Sequence, residues 1–140
     1  MKHIYDYISH ECSKNTTQTY STSFSLGIKA LNKELHQPIY NIYGFVRLAD
    51  EIVDTFHDYN KLELLSRFKQ DTINAIEDKI SLNPILNSFQ QTVNDYQIDW
   101  SLIEAFLNSM EMDLEEQVYD KEKYHPLYLY FLPRNLIQHC

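Results

Sequence analysis

The sequence is poor in the residues that sheets, tight turns and disulfide frameworks require. Only two Gly and four Pro occur in 140 residues, and this scarcity favours helices over sheets with their turns. The two cysteines, Cys12 and Cys140, lie near opposite ends of the chain. Neither a disulfide framework nor a zinc site is therefore expected, and a reducing cytosol is the default compartment.

Long apolar runs and clusters of positive charge are also missing. The first residues lack the apolar core of a signal peptide, and no apolar run is long enough to cross a bilayer. We therefore expect a cytoplasmic protein, with peripheral contact to a membrane surface kept as an alternative. The formal charge is −8, from 20 acidic and 12 basic residues, without a run of Lys and Arg. No nucleic-acid partner is expected, and an anionic substrate would need metal ions between the like charges.

What the sequence does contain is a helical pattern rich in aromatic residues, with eleven Tyr and seven Phe. Such rings either fill a helical core or line an apolar ligand cavity. Apolar residues recur at helical spacing, and no segment of useful length alternates with the period of a strand. The predicted class is therefore all-α, in a single domain.

Helix starts can be predicted from capping residues and proline. A short first helix is expected at residues 4–8, ending in the polar stretch 13–19, and the local structure of residues 20–27 stays open. Later helices are predicted to start near Pro38, Asp58 or Asn60, Asn83 and Asp99. The helix from Pro38 is expected to run to about Phe56.

The helix from Pro38 carries the most informative segment. At about 100° per residue, a polar stripe spanning roughly 60° of arc lies beside an apolar face. The stripe consists of Tyr43, Arg47, Asp50 and Asp54, and the apolar face consists of Ile42, Val46, Ala49 and Val53. A polar line beside an apolar face is typical of a helix that lines a cleft.

Two carboxylates one turn apart suit a hard divalent cation. Mg²⁺ prefers one or two carboxylates together with phosphate oxygens and water, so Asp50 and Asp54 could bridge such ions to a diphosphate. Arg47 could bind a phosphate directly or orient a carboxylate. From spacing alone, the stronger interpretation is a solvated helix face with an ion pair between Arg47 and Asp50.

Two further patches are candidates for the same site. Ser21, Thr22, Ser23 and Ser25 could donate hydrogen bonds to phosphate, although hydroxyl clusters are equally favoured at turns and helix caps. Around residues 110–120, a solvated acidic surface is the stronger interpretation. Asp113 differs because it stands between Met110 and Leu114 and can face a cavity.

Three segments, in this order, resemble the squalene/phytoene synthase family. Residues 20–24 are similar to its early S-x-S-F element, residues 42–54 to its Y-x-x-x-R-x-x-D-x-x-x-D motif, and residues 110–114 to its M-x-M-D-L element. The resemblance covers about residues 15–125. It implies the all-helical bundle of type I isoprenoid synthases and a transferase of isoprenoid and carotenoid biosynthesis. That family joins two prenyl diphosphates, usually farnesyl or geranylgeranyl diphosphate, head to head through a cyclopropyl intermediate.

The resemblance also implies roles for individual residues. Asp50 and Asp54 are the implied ligands of Mg²⁺, for which Mn²⁺ can substitute, and they assist ionisation of the donor diphosphate. The implied catalytic residues are Tyr43, Arg47, Asp50 and Asp54. The implied substrate-binding residues are Ser21, Ser23, Phe24, Tyr43, Arg47 and Asp113.

The chain departs from the family in one important respect. A second D-x-x-x-D motif, which the family carries on a facing helix, is not found here. We therefore interpret residues 1–140 as one partial domain, roughly the first half of the bundle, with little activity alone. The tail from about residue 126 departs from the family pattern, and a frameshift near His125 is one hypothesis. Two alternatives stay open: one half of a split enzyme with a complementary C-terminal half, or a non-catalytic helical module that binds a partner.

Overall fold

The computed structural model describes residues 1–123, with the side chains of residues 1–117. This part of the chain contains helices and no strand, which confirms the all-α class. The helices are α1 (Lys2–Tyr20), α2 (Thr22–Lys29), α3 (His36–Asp54), α4 (Lys61–Asp78), α5 (Pro84–Tyr96) and α6 (Trp100–Lys123), with a 3₁₀ turn at Lys33–Leu35 before α3. The tail from residue 126, Cys140 and the proposed frameshift position lie outside the described residues.

Asparagine side chains start two of the helices, as predicted. Asn60 accepts a hydrogen bond from the Glu63 N–H and begins α4, so Asn60 rather than Asp58 is the cap. Asn83 accepts bonds from the backbone N–H groups of both Ile85 and Leu86 at the start of α5. These bonds satisfy amide groups that have no partner within the helix.

Helix α3 lies at the centre of the bundle and packs against α1, α4, α5 and α6. Its Phe45 ring stacks on Phe89 of α5 with 3.9 Å between centroids, and on Phe68 of α4 at 5.3 Å. Ala49 and Ile52 continue the same buried surface one and two turns later. Burial of these apolar side chains is the main stabilising contribution, and it holds one face of α3 firmly in place.

The predicted apolar face of α3 includes one exposed residue and leaves out part of the buried face. Ala49 and Val53 are buried, and Val46 packs against the core. Ile42, however, is 37% exposed, while Phe45 is buried and was not included. The buried arc is rotated toward Phe45 because α5 and α4 supply aromatic partners on that side.

Helix α1 is longer than predicted and buries an unexpected surface. It continues through the polar stretch to Tyr20, with its buried face made of Ser9, Ser13 and Thr17. Ser9 and Thr17 satisfy their hydroxyls by donating to the carbonyl four residues earlier, each at 2.9 Å. Small hydroxyl side chains with internal partners can be buried at little cost and allow helices to approach closely.

The close approach of α1 and α3 depends on Gly44. A Cβ atom at this position would lie 3.1 Å from the Ser13 Oγ, and that hydroxyl is itself hydrogen-bonded to Ser88 of α5. The apolar residues that predicted the first helix, Ile4, Tyr7 and Ile8, are about half exposed or more, on the other side of α1. Among residues 1–123, no helix combines the length and apolar character needed to cross a membrane.

Candidate active site on helix α3

All four residues of the predicted polar stripe are partly buried on one side of α3. Tyr43, Arg47, Asp50 and Asp54 follow one another at intervals of one turn along the helix. The stripe lies next to the face of α3 that packs on the core. The packing of α3 against its neighbours therefore determines which way the four side chains of the stripe point. Partial burial distinguishes these side chains from the fully solvated helix face that spacing alone favoured.

Arg47 has a different principal partner from the one expected. Its Nη1 lies 4.0 Å from Asp50 Oδ2, whereas its Nη2 forms an ion pair with Glu51. The Tyr20 ring covers the guanidinium, with 4.7 Å from Cζ to the ring centroid. Burial acts to lower the pKa of Arg47, but the bond to Glu51 and the nearby acidic charges raise it, so the group stays charged.

Glu51 and Tyr20 are therefore site residues that sequence reasoning missed. The i, i+4 spacing of Arg47 and Glu51 was a usable signal, because such pairs face each other on a helix. The approach of Tyr20, at the end of α1, had no comparable signal. It depends on how α1 packs against α3.

The carboxyl group of Asp50 has a perturbed pKa. Burial is the largest cause of its raised pKa, relative to an ordinary value of 3.8. The positive charge of Arg47 acts in the opposite direction, while the negative charges of Asp54, Glu51 and Asp113 raise the pKa further. Asp113 belongs to α6, which packs against α3, and its charge is the smallest of the causes that raise the pKa of Asp50. A site with this much negative charge favours a cation.

Helix α2 brings the hydroxyl-rich segment to the same side of the molecule. The Phe24 ring stacks on the Tyr43 ring at 5.1 Å between centroids, and burial raises the pKa of Tyr43. Ser21 begins α2 and accepts a hydrogen bond from the Phe24 N–H at 3.1 Å, so the capping interpretation applies to this residue. Ser25 is buried and faces the interior.

A groove of about 590 Å³ opens beside the Phe24–Tyr43 stack, and its wall is mainly apolar. Its lining residues are Ser21, Ser23, Phe24, Gly27, Ile28, Leu31 and Ile39. An apolar groove with a few hydroxyl groups at its edge suits a molecule with a polar head and a hydrocarbon chain.

The carboxylates fit a metal ion that is shared with a phosphate ligand. Among residues 1–117, no group of three or more His, Cys, Asp or Glu side chains is arranged to hold a metal by itself. Asp50 and Asp54 supply hard oxygen donors, and Mg²⁺ typically uses one or two carboxylates and completes its shell with phosphate oxygens and water. Two carboxylates one turn apart are thus a donor set of the kind that Mg²⁺ can share with phosphate oxygens.

Comparison with known proteins identifies the family. The squalene/phytoene synthase family profile matches residues 17–130, which includes α2, α3 and Asp113. The chain belongs to the squalene/phytoene synthase family. Members of this family are prenyl-diphosphate-using synthases that typically depend on a metal, and the motifs found here are those of its N-terminal portion.

A relative supports this membership, and the aligned share of its length shows how much of such a protein this chain spans. Phytoene synthase 1, chloroplastic, from Solanum lycopersicum is 26% identical over 134 residues. That alignment covers 93% of this chain and 30% of the relative, so the chain spans less than a third of the tomato protein. No solved structure matches the chain.

Proposed function

We propose that this chain supplies the first aspartate motif of a synthase that condenses two prenyl diphosphates head to head, with geranylgeranyl or farnesyl diphosphate as substrate. The observation that carries the proposal is the partly buried Asp50, which lies between Arg47 and Asp54 on α3 and within the electrostatic influence of Asp113 on α6. Carboxylates beside a guanidinium can bind the two components of a metal–diphosphate complex together.

The proposed chemistry begins with ionisation of the allylic donor. Its C–O bond breaks, the electron pair leaves with the diphosphate, and an allylic carbocation remains. Mg²⁺ or Mn²⁺, when bound through Asp50 and Asp54, neutralises charge that develops on the departing diphosphate. Arg47 contributes a fixed positive charge at the same place, which stabilises the additional negative charge on the departing diphosphate more than the charge of the bound ester.

Other side chains have binding and shielding roles in this proposal. Hydroxyl groups of Ser21, Ser23 and Tyr43 donate hydrogen bonds to phosphate oxygens, and Asp113 adds negative charge on the metal side. Phe24 and the apolar groove take part of the prenyl chain and keep water away from the carbocation.

Binding to inorganic pyrophosphate tests the proposal directly on the full chain. Calorimetric titration in the presence of Mg²⁺ should show binding that disappears when Mg²⁺ is omitted. Asp50→Asn and Asp54→Asn should each weaken it by about tenfold or more, in line with the loss of a carboxylate ligand. Asp71→Asn, at an exposed position on α4, serves as the control and should bind normally. Absence of Mg²⁺-dependent binding by the unaltered chain would contradict the proposal.

We further propose that the chain alone binds diphosphate without completing the condensation, because it carries one aspartate motif. A radiolabelled geranylgeranyl diphosphate assay with Mg²⁺ should then show negligible product. Addition of a separately produced C-terminal half carrying the second motif should restore turnover. Robust consumption of substrate by the purified chain would refute this part of the proposal.

Exposed apolar side chains along the groove favour a second candidate, a non-catalytic module that binds a partner. Phe24 and Leu31 are both more than 40% exposed there. The two candidates differ in how they depend on the carboxylates. Asp50→Asn and Asp54→Asn should leave partner binding by such a module unchanged.

A further inference from the structure

Arg47 is held in place before any ligand arrives. Glu51 pairs with Nη2 on one side, and the ring of Tyr20 covers the guanidinium face at 4.7 Å. Both members of the ion pair are largely buried, with 18% of the Arg47 side chain and 14% of the Glu51 side chain exposed. A long, flexible side chain that is held in advance loses less rotamer freedom when a ligand binds.

The two nitrogen atoms of Arg47 that do not pair with Glu51 differ in whether a ligand can reach them. Its Nε is buried and has no hydrogen-bond partner in the described part of the chain, so a ligand cannot reach it without movement. Its Nη1 lies 4.0 Å from Asp50 Oδ2, which is an ion pair beyond hydrogen-bonding distance. An oxygen of a diphosphate bound beside Asp50 can therefore approach Nη1, while Nη2 stays with Glu51.

We propose that Glu51 is a positioning residue that holds Nη2 of Arg47 and thereby directs Nη1 toward a diphosphate bound at Asp50. The inference rests on the proposed function and extends it to a residue that does not itself touch the ligand.

The chain contains a matched control for this ion pair. Arg67 and Glu63 on α4 form another i, i+4 pair at 2.6 Å, but both side chains are more than half exposed. Glu51→Gln and Glu63→Gln therefore remove one charge each from pairs with the same helical spacing. Only the first pair lies beside the aspartates.

The experiment is titration of the full chain with inorganic pyrophosphate in the presence of Mg²⁺. Glu51→Gln is expected to bind pyrophosphate about tenfold more weakly. This is the lower end of the loss in affinity that follows removal of a residue that orients a ligand-binding side chain. Glu63→Gln should bind like the unaltered chain. Circular dichroism at the titration temperature checks that each variant keeps its helices.

A double-mutant cycle separates positioning from a merely structural role. If Glu51 acts through Arg47, then Glu51→Gln should have no further effect on pyrophosphate binding in an Arg47→Ala background. Equal losses in both backgrounds would overturn the inference. If Glu51→Gln fails to fold, Tyr20→Leu removes the other support of the guanidinium, and unchanged binding by that variant would also overturn it.

The remaining outcomes distinguish this inference from the proposed function. If Asp50→Asn abolishes binding while Glu51→Gln binds equally well or more tightly, the metal–diphosphate site stands and the positioning role of Glu51 is wrong. Tighter binding would mean that Glu51 competes with the diphosphate for Arg47. If the unaltered chain shows no Mg²⁺-dependent binding, both are wrong.

Discussion

At the residue scale, ion pairs one helical turn apart recur along the chain, but they differ in how much they contribute to stability because they differ in exposure. The pair between Arg67 and Glu63 is exposed, and pairs of this kind contribute about 0.2–1 kcal/mol. Arg47 and Glu51 are largely buried, so removal of Glu51 would leave a charged group with too few partners. Asp6 is intermediate, because it pairs with Lys2 within α1 and also accepts a hydrogen bond from Asn87 of α5.

Asp6 should make stability depend on pH in the acidic range. Partial burial acts to raise its pKa, but hydrogen bonds from Asn87 and Lys2 outweigh that effect, so the pKa falls below the ordinary value of 3.8. Ionised Asp6 therefore stabilises the fold above the unfolded pKa, and this contribution is lost as pH falls through the folded pKa. We expect Asp6→Asn to unfold at lower urea concentration than the unaltered chain at pH 7, with the difference vanishing at the acid end.

Urea denaturation monitored by circular dichroism across this pH range measures the effect. Asp95→Asn, an exposed position on α5, is the control and should shift the midpoint little at any pH. The urea midpoints of Asp6→Asn and of the unaltered chain could instead differ by the same amount from pH 7 to acid. That result would show that the charge of Asp6 has no role in stability.

At the element scale, the two glycines occupy helices with opposite steric requirements. In α2, nothing lies within 4 Å of a Cβ added to Gly27. In α3, a Cβ added to Gly44 would press on Ser13 of α1 and on Ile85 Cδ1, at 3.1 and 3.4 Å. Ser13 has little room to move, because its hydroxyl is bonded to Ser88 on the far side.

Alanine substitutions should therefore have opposite effects on stability. Gly27→Ala should raise the free energy of unfolding by about 0.5–1 kcal/mol, because it lowers the backbone entropy of the unfolded chain. Gly44→Ala should lower it by about 1–2 kcal/mol, since the strain of overpacking exceeds the same helical gain. Thermal melts of both variants check the signs. Stabilisation by Gly44→Ala would mean that α1 can shift away from α3 at little cost.

At the scale of the whole molecule, several apolar side chains on α2, on α3 and between these helices are exposed. Phe24, Leu31 and Ile42 all belong to α2, α3 or the segment between them, and each is more than a third exposed. Exposed apolar surface of this kind promotes association.

We expect the full chain to self-associate with increasing concentration and to be poorly soluble. Leu31→Gln should shift sedimentation toward the monomer, because it places a polar group in the groove wall. Leu82→Gln is the matched control, since Leu82 is 93% exposed in the turn before α5, away from the groove. A monomeric chain that melts in one cooperative transition would contradict this expectation, and equal effects of the two variants would show that the groove has no special role.

Much of the candidate site was predictable from local rules. Tyr43, Arg47, Asp50 and Asp54 share one side of α3 because helical geometry relates residues three and four apart without reference to the rest of the fold. The metal-binding role of Asp50 and Asp54 stays a prediction. So do the phosphate-binding roles of the other residues, because no ligand contact bears on them.

The sequence by itself determined the all-α class, the starts of α4 and α5, and the order of charged residues along α3, since each depends on near neighbours in the chain. Only the tertiary structure decided that α1 buries Ser9 and Ser13 while Ile8 faces outward, because Gly44 allows the helices to approach there. It likewise decided that Asp113 influences Asp50. Such contacts join residues far apart in sequence, and they arise only when whole helices pack against one another.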